Sequence, residues 1–202
     1  MPATAGKRNA SASRQRILDA AGELLAQGDG NFEMAWVARA AGVSQGLAYH
    51  HFGSKDGLLG ALVNDFYDRA EDAVLMARFD DYADWEERER DRVRRYIEFL
   101  LADPLGVTVV TRLAGTPAVA AIGAQRWDQL VTEGSRNIAD GQARGVVKAT
   151  QDATLLAAMV LGATRSAVAR EFAKSKPGSS ARLSRDIWAF IRTALGLEDS
   201  HG

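Results

Sequence analysis

Apolar residues recur at three- and four-residue spacing along almost the whole chain, a period that places them on one face of an α-helix. Ile17, Ala21, Leu24 and Leu25 form one such stripe, and Leu59, Leu62, Val63, Phe66, Ala70, Val74 and Ala77 form a longer one. No sustained alternation with period two competes, apart from a few residues around Val146 and Val147. Helices that are apolar on one side must bury it against other helices, so an all-α fold is expected.

With 202 residues, 47% of them hydrophobic, the chain is long enough to bury a proper core, as one unit or as a small domain fused to a larger one. No apolar run is long enough to span a bilayer, and MPATAGKRNASAS lacks the apolar centre of a secretory signal, so a cytoplasmic protein without a membrane partner is expected. Cysteine is absent, which removes disulfides, thiolate metal sites and a thiol nucleophile together. The net charge of −1 argues against a uniformly positive surface, so any nucleic-acid contact must be local. The first sixteen residues carry Lys7, Arg8, Arg14 and Arg16 and no acid. Residues 1–12 show no apolar periodicity and read as a flexible basic arm, and residues 198–202 as a disordered tail.

Punctuation divides the rest. Ser13 is a good N-cap, and Gly28 stops the first helix before a turn through Asp29, Gly30 and Asn31. Met34, Val37, Ala38 and Ala41 mark a short second helix, broken at Gly42; Ser44 caps a third that runs to Phe52, and Ser54 caps the fourth. Further helices are predicted from Trp85 to Leu101, Leu105 to Leu113, Pro117 to Gly141, Asp152 to Phe172 and Leu183 to Leu195, about nine in all. The charge run from Asp84 to Arg95 reads as an exposed face with intrahelical pairs.

The stretch from Val37 to Lys55 carries the most information. Two helices that cross steeply through a short turn need a small residue at the contact, which Ala38 supplies. Gly42 reaches the left-handed backbone conformation, Val43 plugs the core, and Ala48 faces back toward the preceding helix. Adjacent histidines on a helix point about 100° apart, so His50 and His51 cannot chelate one metal, and no metal site is expected.

With its flanks, AAGVSQGLAYHHFGSKDGLL resembles the signature of the TetR family of bacterial transcription regulators, strongly over Ser13 to Ala70 and beyond that only in length and helix placement. The resemblance implies a three-helix helix-turn-helix domain at 13–56, followed by a helical ligand-binding and dimerisation domain at 57–197. It makes the helix from Ser44 to Phe52 the recognition helix. Ser44, Gln45, Gly46, Leu47, Tyr49, His50 and Lys55 are then the expected DNA-contacting set. Gln45 offers an amide for a base edge, by preference adenine, and Leu47 either meets a thymine methyl or packs. Tyr49 and Lys55 suit phosphates, Lys55 at a helix start whose free N–H groups also attract an anion. The chain departs from the family at Glu33, where a Thr cap is common, and at Met34 and Ala35, so phosphate contacts there should be weaker. Trp36 either donates its indole N–H to a phosphate or packs on the first helix.

One such helix reads only a few base pairs, and the family resolves this with a two-fold dimer on an inverted-repeat operator, its half-sites about 34–36 Å or somewhat more apart. The last two helices suit the interface. Gly162, Ala163, Ser166, Ala167 and Ala169 allow close approach, and Leu155, Leu156, Met159, Val160, Ile187, Trp188, Ile191 and Leu195 supply apolar area, some of it monomer core. For a small apolar or amphipathic effector, Phe99, Trp127 and Met159 are candidate walls and Arg112 and Arg165 candidate polar anchors. The expected role is a repressor released by its effector, with no cofactor. An architectural DNA-binding protein is the alternative, and an enzyme is disfavoured because His50, His51 and His201 are poorly placed for a shared pocket.

Overall fold

The computed structural model describes residues 3–28, 31–75, 84–113, 117–176 and 178–197. Among them are α1 (Ala3–Gln27), α2 (Met34–Ala40), α3 (Gln45–Phe52), α4 (Lys55–Leu75), α5 (Trp85–Ala102), a π-helical segment (Thr108–Leu113), α6 (Pro117–Ala143), α7 (Ala153–Phe172) and α8 (Ser180–Leu195). No strand occurs among the described residues, and the all-α expectation holds. The Asp29–Gly30 turn, the end of the fourth helix at Ala77, Pro177 and the tail 198–202 lie outside the described residues.

Caps explain where several helices begin. The Ser44, Asp152 and Ser179 side chains accept hydrogen bonds from the backbone N–H groups of Leu47, Leu155 and Arg182, and Asp84 accepts from Glu86. Ser13, by contrast, is no cap. α1 begins ten residues earlier, at Ala3, because Ala3, Ala5, Ala10 and Ala12 favour the helix and no proline interrupts it. The stretch expected to be a flexible arm is thus helical from Ala3. Ser13 is buried inside the helix, its hydroxyl donating to the Ala10 carbonyl at 3.0 Å. α8 likewise starts at Ser180 rather than Leu183. Around Val146 and Val147 the backbone wraps the end of α6, both N–H groups donating to the Gly141 carbonyl at 2.9 and 3.1 Å.

The chain divides into two compact units, Met1–Asp68 with Pro104–Gly123, and Arg69–Asp103 with Ala124–Gly202. The first does not end near residue 56, because Leu58, Leu59, Leu62, Val63 and Phe66 of α4 are part of it and buried. Its core also holds Ile17, Ala21, Leu25, Phe32, Val37, Leu105 and Val109. In the second unit α8 packs on α5 and α7, burying Trp85, Ile97, Leu100, Leu156, Val168, Ile187, Trp188 and Ile191.

The charge run on α5 is less open to water than its alternating signs suggested. The Arg88 and Glu89 side chains are only 12% and 13% exposed. Intrahelical pairs do form, Arg95 with Asp91 at 2.7 Å and Arg94 with Glu98 at 2.7 Å. Arg88 also reaches Asp140 of α6 at 3.2 Å, and Glu86 accepts Arg192 of α8 at 2.7 Å. The hydrogen bond from Arg144, joined by that from Arg88, holds the Asp140 carboxyl below the usual carboxylate range.

Candidate DNA-binding surface

The turn between α2 and α3 is built as the sequence suggests. Gly42 has φ of +64°, a conformation costly for residues with a Cβ, and the Val43 N–H donates to the Ala38 carbonyl at 3.0 Å. Ala38 and Ala48, 2% and 0% exposed, bring the two helices together, with Val43 half-buried beside them. On the opposite side of α3, Gln45, Gly46, Tyr49 and His50 are exposed, at the spacing that keeps them on adjoining faces of one helix. Leu47 is half-buried. The Ser44 hydroxyl oxygen accepts from the Leu47 N–H at 3.1 Å, which leaves its own proton free to donate.

α3 is seated on α1 by contacts that no local pattern announces. His51 Nε2 lies 2.8 Å from Ser13 Oγ, and the Arg14 guanidinium stands 5.3 Å from the centre of the Phe52 ring. Phe52 is half-buried beneath that cation. The outer face of α2 presents Ala35, Trp36 and Arg39, and Trp36 is 52% exposed, which disfavours packing as its role.

α4 starts almost where α3 stops. A side chain at Gly57 would drive its Cβ into the Phe52 carbonyl oxygen, so glycine permits this close approach and sets Lys55 beside the recognition helix. Ser54 caps α4, its hydroxyl accepting from the Gly57 N–H at 2.9 Å. The Lys55 ammonium lies 2.6 Å from Asn31 Oδ1, 3.5 Å from Glu33 Oε1 and 5.6 Å from the centre of the Phe32 ring. Glu33 stands at the N-cap position of α2 but makes no side-chain capping bond.

The expected sensor residues are scattered. Arg165 and Trp127 come together, guanidinium over ring at 5.8 Å. Phe99 is half-buried, with the Arg69 guanidinium 5.9 Å from its ring, and Arg69 is paired with Asp103. Met159 is 49% exposed on α7. Arg112 belongs to the first unit and donates to the Gly28 carbonyl at 2.8 Å, near the end of α1, where unpaired carbonyls favour a cation. A hollow of about 580 Å³ in the second unit is lined by Gln125, Asp128, Gln129, Thr132, Glu133 and Arg136, none of them an expected wall.

Residues 17–62 match the family model of bacterial regulatory proteins of the tetR family. The HTH-type transcriptional regulator BetI of Escherichia coli is 39% identical over 66 residues, which are 32% of this chain and 34% of that protein. The chain therefore matches about a third of the length of these curated relatives. A solved TetR-family transcriptional regulator from Rhodococcus sp. superposes with a TM-score of 0.72 at 26% identity, over 92% of this chain and 99% of that one. The structure of AibR in complex with isovaleryl coenzyme A and operator DNA has a TM-score of 0.69 at 21% identity, over 92% and 100% of the two chains. The matched family is one of DNA-binding regulators rather than enzymes. The tetR family model thus lies on α1 to α4, and the fold of a TetR-family transcriptional regulator is shared over nine-tenths of the chain.

Proposed function

We propose that the chain is a homodimeric repressor that binds an inverted-repeat operator through α3 and is released by a small apolar or amphipathic effector. The observation that carries this reading is the exposed side of α3, with Gln45, Gly46, Tyr49 and His50 presented above a buried scaffold of Ala38, Ala48 and Val37. Gln45, at the start of the helix, reads a base edge. Leu47 meets a thymine methyl at the margin of that face, and Ser44 and His50 add polar contacts. Tyr49, Trp36 and Lys55 contact phosphates.

Dimerisation through α7 and α8 is supported by Leu155, Met159 and Phe190, which are 58%, 49% and 49% exposed. Of the other apolar residues considered for that interface, Leu156, Ile187, Trp188, Ile191 and Leu195 are buried within the monomer. The first unit carries DNA reading in this scheme, and the second unit carries effector binding and dimerisation. AibR, solved with both isovaleryl coenzyme A and operator DNA, supports an effector with an acyl portion. Trp127, Arg165 and Phe99 of the second unit are the residues that contact it. No helix among the described residues is long and apolar enough to cross a membrane, in keeping with a cytoplasmic site of action.

Release follows from differential binding. An effector that prefers one arrangement of α4 shifts the population away from dimers whose recognition helices match neighbouring grooves. By linkage, operator must weaken effector binding by the same factor. The test is a footprint of purified protein on DNA flanking its own gene. A protected inverted repeat is expected, with base preference at one position altered by Gln45→Ala and affinity for all sequences lowered by Tyr49→Phe. No protection on any duplex would overturn the reading.

A further inference from the structure

The Lys55 ammonium is already occupied. It is held by the Asn31 side-chain oxygen at 2.6 Å and the Glu33 carboxylate at 3.5 Å, on the side of α4 where a phosphate would be received. Asn31 is fixed in turn, because its Oδ1 also accepts the Phe32 N–H at 3.0 Å, and Phe32 is anchored in the core at 1% exposed. Glu33 makes no capping bond to α2, so local helix chemistry does not account for where its carboxylate points.

Taking the proposed DNA-binding role as its basis, we infer that Glu33 is an internal stand-in for a DNA phosphate and thereby sets the affinity and salt dependence of binding. The two side chains are 37% and 59% exposed, so the pair is open to water and weak enough to be exchanged. When a backbone phosphate takes Lys55, Glu33 is left without its cation close to a second anion. That repulsion opposes every duplex, whatever its sequence, because it acts at the phosphates. Counterions follow the same exchange. A lysine that is neutralised beforehand gives up an internal carboxylate when it meets DNA, and that carboxylate then recruits a cation from solution. Net cation release is therefore lower by about one than for an unpaired lysine.

The measurement is binding of the full chain to a random-sequence duplex and to DNA upstream of its gene, across a range of salt, for wild type, Glu33→Gln, Lys55→Ala and the double variant. Glu33→Gln should tighten both complexes about three- to tenfold at low salt. Its slope of log K against log salt should steepen by about 0.9. In the Lys55→Ala background the same change should do little. Glu33→Thr, which restores a side chain able to cap α2, serves as a second variant should the glutamine form fold poorly, and is expected to tighten binding likewise. Unchanged affinity and slope in Glu33→Gln would overturn the inference, as would a gain that persists in full without Lys55, since general charge removal would then explain it. Failure of the wild type to bind either duplex would remove the DNA-binding reading itself, a different result from normal wild-type binding with an inert Glu33→Gln.

Discussion

Ser13 of α1 and His51 of α3, 38 positions apart, are joined by a 2.8 Å hydrogen bond between Oγ and Nε2. A Ser13 hydroxyl that donates to the Ala10 carbonyl accepts from the ring, which predicts a His51 proton on Nε2. Nitrogen chemical shifts of the neutral imidazole should show that tautomer. Ser13→Ala leaves the ring N–H unpartnered at a half-buried site and should cost about 1–2 kcal/mol in urea unfolding. It should also weaken DNA binding, because α3 loses part of its seat. A wild-type ring protonated on Nδ1 would contradict this account.

On α7, Leu155 and Met159 are one turn apart, so their exposed side chains share a face. Neither contributes to the monomer core, and Leu155→Glu or Met159→Glu should leave the circular dichroism spectrum and monomer fold intact. Sedimentation should then report a monomer, with loss of tight binding to an inverted repeat. A dimer of unchanged strength in both variants would place the interface elsewhere.

Glu171, buried near the end of α7, is held by the Lys174 ammonium and the Gly178 N–H. These bonds, the Lys174 one foremost, hold its carboxyl below the usual carboxylate range. The stabilisation belongs to the charged form. It is complete above the unfolded-state value of about 4.3 and is lost as pH falls through the lower folded-state value. Glu171→Gln should therefore be less stable than wild type at neutral pH, with the gap closing in strong acid. Urea titrations at several pH values check this, and a gap independent of pH would oppose it.

Gly141 and Gly123 lie on the same helix and should respond oppositely to alanine. A Cβ at Gly141 would sit 2.8 Å from Trp85 Cε2 and from Val147 Cγ2, both in buried residues, whereas one at Gly123 meets nothing within 4 Å. Gly141→Ala should cost about 1–3 kcal/mol through overpacking. Gly123→Ala should gain up to about 1 kcal/mol from reduced backbone entropy in the unfolded chain. Thermal unfolding of the pair, with equal shifts as the contrary result, decides between them.

Features carried by neighbours in sequence were legible. Ser44 and Asp152 cap where their types and positions predict, and Gly42 turns the chain as a residue without a Cβ can. Features carried by distant partners were not. Ser13 has the chemistry of a cap, but its hydroxyl is engaged by His51 and Ala10 inside a longer helix. Arg88 looked solvated until Asp140, 52 positions away, came within reach. Lys55 was readable as a cation at a helix start, yet nothing near it pointed to Asn31 and Glu33, more than twenty positions earlier. The candidate effector residues were the least legible, since helical spacing marks an apolar face without saying whether protein or ligand covers it.

The first unit is assembled from two separate stretches of chain. Leu105 and Leu62 both lie 3.7 Å from the place a Gly22 side chain would occupy, and Ile122 comes within 3.0 Å of the corresponding point at Gly60. A chimera that exchanges only the first 56 residues between relatives would leave half of that core behind in the recipient. Grafts should carry 104–123 along with the head, or match the donor's side chains there, if the transplanted reader is to keep its shape.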